Sequence, residues 1–178
     1  MASNLEKRLH DLLDRDDILQ VIHRIARGLD RVDNDLVLSG YWPEAIDDHT
    51  HYVGGPRGFV AYADKMTLSF VSCQHGLMTH NCEIDGNDAH CETYYTFIAT
   101  AAQPPHFMAS GRYVDHFRKR GEEWRILRRF TVVDGTYDLL PSAMTAGMPS
   151  PYGPGENPVA LDRSDVSYQR PVRTRAPK

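Results

Sequence analysis

The stretch ETYYTFIATAAQPPHFMASGRYVDHFRKRGEEWRILRRFTVVDG, residues 92–135, decides the fold because it reads as strands joined by turns. Its aromatic and β-branched residues favour strands, and QPP at 103–105 and RGEE at 120–123 supply residues typical of turns. The same pattern starts at Cys73 and includes a further turn, DGND, at 85–88. We therefore predict a meander of four antiparallel strands, long enough to curve strongly, over residues 73–84, 89–102, 106–119 and 123–137.

The chain before this sheet has helical periodicity. Ser3 and Glu6 have the spacing of a capping box, and apolar residues follow at intervals of three and four. The cluster DRDD at 14–17 predicts a break into two helices, because aspartate favours a helix start over a helix interior. Further helices are predicted around 35–38 and from 56 to about 70. This order predicts an α+β fold whose helices pack inside a strongly curved antiparallel sheet.

The composition limits the class of protein. With 178 residues, 41% apolar and 25% charged, the chain fits one domain with one core. A net charge of −4 gives no reason to expect nucleic acid as a partner, and no apolar run reaches the ~20 residues of a membrane span. The N-terminal segment lacks the features of a signal peptide, which predicts a cytoplasmic protein. Cys73, Cys82 and Cys91 match no zinc or redox spacing, so we interpret them as buried small hydrophobes.

The end of the chain differs in composition from the rest. Residues 141–178 hold seven of the eleven prolines and show no periodicity. We predict a domain over residues 1–140 and a proline-rich C-terminal tail or arm over residues 141–178. The tail is expected to be either disordered or an arm that lies on a neighbouring subunit.

A charged residue at the edge of the helical apolar face is the first candidate for function. Asp30 follows Leu29 at the end of IARGLD, and a carboxylate there needs a partner, for which a histidine from the sheet is the natural choice. His75 and His80 lie on the first predicted strand and are five residues apart. In a regular strand, only one of them faces inward.

Alternation sorts the residues of the following strands into two faces. In the second strand, Tyr95, Phe97 and Ala99 share the face that fits a pocket wall better. In the other two strands periodicity leaves the choice open: Ala109, Gly111 and Tyr113 alternate with Ser110, Arg112 and Val114, and Arg129, Thr131 and Val133 alternate with Arg128, Phe130 and Val132.

Three segments carry a resemblance to a known family. They are RGLDRVDNDLVLSGYWPEAIDDH at 27–49, QH at 74–75 followed ten residues later by IDG, and GRYVDHFRKRGEEWRILRRFTVVDG at 111–135. Together they resemble the SnoaL-like branch of the NTF2-like superfamily, which is similar to hexachlorocyclohexane dehydrochlorinase, scytalone dehydratase and the bile-acid dehydratases. The resemblance covers about residues 5–140 and implies a cone-shaped α+β barrel.

The resemblance also implies a site. The catalytic dyad of these families, an aspartate at a helix end and a strand histidine, falls on Asp30 and His75. The pocket arginine of the family falls on Arg129, for which Arg128 is a competitor. The implied substrate pocket is lined by Trp42, Tyr95, Phe97, Ala109, Gly111, Tyr113, Thr131 and Val133.

The chemistry implied by this dyad is proton abstraction. His75 would act as general base on a carbon whose neighbour bears the leaving group, while Asp30 fixes the imidazole tautomer and the arginine stabilises developing negative charge. A tyrosine that some of the dehydratases carry is replaced by Ile25, and Tyr113 or Tyr95 could substitute for it. The resemblance thus implies a lyase of dehydratase or dehydrohalogenase type without a cofactor or metal, acting on a small, mostly apolar cyclic substrate, in a homodimer or homotrimer.

Other functions stay open at this point. The same base gives an isomerase if it returns the proton at another position. The fold also serves proteins that bind a ligand without reacting, and accessory subunits resembling the small subunit of ring-hydroxylating dioxygenases. His49 and His51 in DDHTHY would share a face in a strand, but the segment offers no third ligand at a fixed spacing, so we predict no metal site there.

Overall fold

The structure is a computed structural model, and it describes residues 3–143, 159–172 and 174. Its helices are α1 (Asn4–Asp30), α2 (Asn34–Leu38) and α3 (Pro56–Thr67). None of these helices is long and apolar enough to cross a membrane. The strands are β1 (Tyr41–Asp48), β2 (Val53–Gly54), β3 (Ser72–Asp85), β4 (Asp88–Thr100), β5 (His106–Arg120) and β6 (Glu123–Leu139), and a 3₁₀ turn follows at Val166–Tyr168.

The strands form one curved sheet in the order β2-β1-β6-β5-β4-β3, which confirms the α+β fold class. β3 to β6 are the predicted antiparallel meander, and their ends lie within two residues of the predicted ones. The sheet is nevertheless mixed and does not close, because β1 pairs in parallel with β6 and antiparallel with β2. The ladder of β1 is irregular between Tyr41 and Ile46, around Pro43, which has no backbone N–H to donate. The sequence analysis predicted no strand over these residues.

α1 is continuous through DRDD, so the predicted break into two helices was wrong. Its start is as predicted, since the Ser3 hydroxyl accepts from the Glu6 backbone N–H and the Glu6 carboxylate accepts from the Ser3 backbone N–H. Within DRDD, the Asp14 carboxylate accepts hydrogen bonds from Lys119 Nζ at 2.7 Å and from Trp124 Nε1 at 2.8 Å. These bonds to side chains of β5 and β6 offset the low helix propensity of aspartate.

The C-terminal half of α1 lies against the concave face of the sheet, whereas Leu5 and Leu9 in its first half are exposed. Each buried aliphatic or aromatic side chain in this contact contributes roughly 1.5–3 kcal/mol. This packing fixes the last turn of α1 beside β3 and so determines where Asp30 lies. The core consists mainly of Ile18, Val21, Ile22 and Ile25 of α1, Phe59 of α3, and Phe117, Trp124 and Ile126 of the sheet.

Residues 159–172 fold back onto the end of α1 in the same chain. Asp33, just after α1, accepts from Arg163 Nη2 at 2.8 Å and from the Tyr168 hydroxyl at 2.9 Å, and the Arg27 guanidinium lies 4.6 Å from the centre of the Tyr168 ring. This part of the tail is an arm on its own chain, a placement that the sequence analysis did not foresee. The rest of the tail, at 144–158, 173 and 175–178, lies outside the described residues, and the division of the chain at residue 140 stays a prediction.

Candidate active site

Asp30 and His75 lie within hydrogen-bond distance where the end of α1 meets β3. Asp30 Oδ1 is 2.6 Å from His75 Nδ1, and the His75 backbone N–H donates to Asp30 Oδ2 at 3.0 Å. The two side chains are only 13% and 10% exposed. Two contacts to one residue fix the carboxylate and the ring together, and a carboxylate at Nδ1 favours the tautomer that carries its proton there. Nε2 then keeps a free lone pair, which proton abstraction requires.

His75 forms part of the wall of a cavity of about 430 Å³ between the sheet and α3. This volume lies in the range of small-molecule sites, roughly 300–1,000 Å³. The His75 ring packs 4.8 Å from the Phe97 ring, and Phe59, Met66 and Phe107 supply other apolar parts of the wall. None of the described residues that line the cavity is an aspartate, glutamate, lysine or arginine. The cavity therefore suits a neutral and mostly apolar ligand.

Five of the eight predicted wall residues line this cavity, and they come from the odd-numbered faces of β4, β5 and β6. The Tyr95 and Tyr113 rings stack with their centres 4.5 Å apart. Burial raises the pKa of both phenols, so that they stay neutral and can donate hydrogen bonds at physiological pH. The five residues are Tyr95, Phe97, Ala109, Tyr113 and Val133.

The remaining three predicted wall residues lie elsewhere. Trp42 donates from Nε1 to the Arg118 carbonyl at 2.8 Å, and it lines a separate surface depression. Gly111 lies at a bulge of the β5–β6 ladder, where a Cβ atom would come within 2.0 Å of the Val132 carbonyl oxygen, so its role is to permit a close backbone approach. Thr131 is buried behind the wall. Placing these three in the pocket was wrong, because strand alternation does not register irregular pairing or depth.

Arg129 is on the inner face, as expected over the exposed Arg128, but it does not line the cavity. Its Nε and Nη2 atoms each donate to Asp115 at 2.7 Å, and its guanidinium lies 4.1 Å from the centre of the Tyr113 ring. Burial is the largest single effect and favours the neutral guanidine, yet the charge and hydrogen bonds of Asp115, together with Tyr41 and Asp47, raise the pKa of Arg129 well above its ordinary value. Arg129 therefore does not face the cavity in the structure, and its role at the reacting centre stays a prediction.

His75 and His80 both face inward, so the prediction that only one of them does was wrong. The β3–β4 ladder shifts register between Leu77 and His80, where two residues of β3 stand opposite one residue of β4. This bulge restores His80 to the inner face, where it is half-buried rather than exposed, and its Nδ1 lies 2.8 Å from Thr93 Oγ1. His80 lies outside the cavity wall.

A second histidine next to a carboxylate lines the cavity, and the sequence analysis missed its role. His49 Nδ1 is 3.3 Å from Oδ1 of the fully buried Asp47 and 3.1 Å from Thr131 Oγ1. The Tyr41 hydroxyl donates to the other Asp47 oxygen at 2.7 Å. The signal in the sequence was the spacing of Asp47 and His49 two residues apart, which places both on one side of an extended chain, but it is informative only once β1 is recognised.

The comparison with known proteins agrees with this fold. The sequence pattern of the SnoaL-like domain matches residues 10–130. A hexachlorocyclohexane dehydrochlorinase from Novosphingobium barchaimii has a similar structure, with a TM-score of 0.68 over 76% of this chain and 99% of that one at 13% identity. A candidate scytalone dehydratase from Novosphingobium aromaticivorans gives a TM-score of 0.66 over 75% and 92% at 14% identity. No protein with a curated description matches the chain. At such identities the structural likeness shows the fold alone.

Proposed function

The chain belongs to the SnoaL-like domain family, and we propose that it is a lyase that needs no cofactor and eliminates a small leaving group from a neutral cyclic substrate. The observation that carries this proposal is the contact of 2.6 Å between Asp30 and His75 at the wall of an apolar cavity. The dehydrochlorinase and dehydratase named above share the fold, which makes an elimination the first reaction to test.

In the proposed reaction, His75 Nε2 takes a proton from a carbon next to the one that bears the leaving group. The electron pair of the broken C–H bond forms the new double bond, and the bond to the leaving group breaks. Asp30 holds the ring in the productive orientation and stabilises the imidazolium as it forms. General-base catalysis of this kind contributes typically about 10²–10⁴-fold to the rate.

The second histidine favours hydroxide over halide as the leaving group. A halide departs as a stable anion, whereas a hydroxyl group must receive a proton as its C–O bond breaks. His49 lines the same cavity, and Asp47 orients it as Asp30 orients His75. In its protonated form, His49 can donate that proton, so that the products are an alkene and water. We therefore propose a dehydratase.

The surroundings of the dyad support a neutral substrate. None of the described residues that line the cavity is a lysine or arginine, whose permanent charge an anionic substrate would need, and the buried Arg129 nearby is already paired with Asp115. The His75 and Asp30 side chains are only 10% and 13% exposed, and this limited contact with water strengthens their interaction.

Location in the cytoplasm and assembly into a homodimer or homotrimer stay predictions. Val114 and Phe130 are directly opposite each other on the outer face of the sheet, and 43% and 54% of their surfaces are exposed. Such an apolar pair is compatible with contact to a second copy of the chain.

The test is turnover of one- and two-ring β-hydroxy ketones, each with an acidic hydrogen on the carbon between the two functional groups. Wild type and His75→Ala would be compared, with His90→Ala as the matched control because His90 is an exposed histidine on the neighbouring strand. We expect an alkene and water from wild type and His90→Ala, and at least about a hundredfold slower turnover by His75→Ala. An isomer of unchanged mass would replace the lyase with an isomerase. Binding without turnover, or full activity of His75→Ala, would overturn the catalytic role.

A further inference from the structure

Outside the cavity, the inner face of the β3–β4 hairpin gathers a second set of reactive side chains. Cys82 and Cys91 are directly opposite each other, and His80 precedes Cys82 by two residues on the same face. Thr93 lies opposite His80. A nitrogen of His80 and the two sulfur atoms all lie within 4.8 Å of one another. The bulge before His80 creates this cluster, since without it the imidazole would face the other side of the sheet.

The His80 ring is held like that of a metal ligand. Its Nδ1 is 2.8 Å from Thr93 Oγ1, and Thr93 is itself fully buried. Its Nε2 is buried and has no hydrogen-bond partner among the described residues. A buried ring nitrogen without a partner costs folding free energy. Because the ring is anchored through Nδ1, it would present Nε2 to a metal ion in a fixed direction.

The two thiols lie side by side in this cluster. The Cys91 thiol donates to Cys82 Sγ at 3.0 Å. Both sulfur atoms can act as ligands once a metal ion displaces their thiol protons. Cys73 differs, because burial and the nearby Asp30 raise its pKa to about 12.

We propose that His80, Cys82 and Cys91 bind one zinc ion between the β3–β4 hairpin and α1. One imidazole and two thiolates are ligands that zinc prefers, and two thiolates neutralise its double charge, as a half-buried site requires. The other charged groups nearby are occupied elsewhere. Arg15 donates to the backbone carbonyl of Cys82, and Asp115 is paired with Arg129.

The geometry needs only side-chain adjustment to accept the ion. Two sulfur atoms at about 2.3 Å from a tetrahedral zinc are roughly 3.8 Å apart, so the present separation of 3.0 Å must widen. Because both side chains extend from the same face of paired strands, a change of χ1 at either cysteine would move the two sulfur atoms apart. The fourth position would be taken by water. Bound zinc would tie the hairpin together, and its effect would be on stability rather than on the reaction at His75.

The test is a titration of the full-length, reduced and metal-free protein with Co²⁺ followed by Zn²⁺. We expect thiolate-to-cobalt charge-transfer absorption that saturates at one equivalent, displacement of Co²⁺ by Zn²⁺, and a higher midpoint of thermal unfolding with Zn²⁺. Cys91→Ser should weaken zinc binding at least tenfold, and Cys73→Ser should leave it unchanged. If Cys91→Ser fails to fold, Thr93→Val serves instead, because it keeps the volume but removes the anchor of His80, with an expected loss of about tenfold.

Three results would overturn the zinc site. The first is no saturable Co²⁺ absorption. The second is equal binding by wild type and Cys91→Ser. The third is a Cys82–Cys91 disulfide that still forms in air when zinc is supplied before oxidation. Such a disulfide appears as the loss of two hydrogens in the mass of the protein. None of these results depends on turnover, so they are independent of the proposed lyase activity.

Discussion

His75 and His80 are on the same strand and the same face of it, yet their surroundings give them different chemistry. His75 meets a carboxylate and an open apolar cavity. His80 meets a hydroxyl and two thiols and does not line that cavity. A carboxylate partner with space for a substrate suits proton transfer, while a thiol pair in a packed region suits a soft cation. The comparison predicts that, on this inner face, contact with the cavity distinguishes groups that react from groups that stabilise the fold.

The largest effect is expected from a substitution at Asp30, whose carboxylate distinguishes the surroundings of His75 from those of His80. Asp30→Asn keeps the shape of the side chain but removes the charge that orients His75, and we expect kcat to fall by about 10²–10⁴-fold. Metal binding at His80 should not change. Asp16→Asn, an exposed aspartate of the same helix, is the control, and steady-state kinetics with a cobalt titration provides both readouts. An activity of Asp30→Asn near that of the control would contradict the assignment.

Arg129 tests the group of inner-face residues that do not line the cavity. It is charged and buried but is not part of the cavity wall. Arg129→Met leaves Asp115 buried and unpaired, and we expect the free energy of unfolding to fall by about 3–5 kcal/mol. The exposed Arg128→Met should change it by less than about 0.5 kcal/mol. Urea denaturation measures both. Normal stability of Arg129→Met with a large loss of activity would return Arg129 to the reacting centre.

His49 and His51 allow a comparison between two histidines that line the same cavity. His49→Phe removes the proposed proton donor, and we expect turnover of alcohol substrates to fall by about a hundredfold while any turnover of the matching halides stays the same. The control is His51→Phe, because His51 also lines the cavity but has no hydrogen bond to a carboxylate among the described residues. Equal losses for alcohols and halides would mean that His49 shapes the cavity instead of donating a proton.

The smallest effect is expected for Asp14 of α1. Its neighbour Arg15 donates to the backbone carbonyl of Cys82. Burial opposes ionisation, but hydrogen bonds from Lys119 and Trp124 lower the pKa of Asp14 below its ordinary 3.8. A lowered pKa in the folded state stabilises the protein above the unfolded pKa, and this stability disappears as pH falls through the folded pKa. Asp14→Asn should cost about 1 kcal/mol at pH 7, and the cost should shrink below about pH 3.8. A cost in thermal or urea unfolding that does not depend on pH would contradict the charge-based account.

Much of the fold could be predicted because its signals are local. Turn residues and alternation located β3 to β6 to within two residues, and the capping box located the start of α1. No strand was predicted over β1, and the parallel pairing with β6 that forms it is a contact with a distant part of the chain. α1 stayed whole through DRDD for the same kind of reason, since the partners of Asp14 come from β5 and β6.

The candidate site shows the same division between features with a local signal in the sequence and features that depend on contacts between distant parts of the chain. Asp30 and His75 were paired from a buried charge that needs a partner together with the family resemblance, and the fold brings them within 2.6 Å. His80 was misplaced because a bulge reverses alternation without leaving a mark in a single sequence. Arg129 was placed on the correct face but at the wrong depth, since alternation indicates a side and not whether Asp115 or a substrate faces the guanidinium.

The most direct test of the central claim is the protonation of the His75 ring, measured by ¹⁵N NMR of histidine-labelled protein at neutral pH, with His75→Gln to assign the signals. If Asp30 prepares His75 as a base, the neutral His75 ring carries its proton on Nδ1, and Asp30→Asn removes that preference. A His75 ring protonated on Nε2, or one that Asp30→Asn leaves unchanged, would contradict the account.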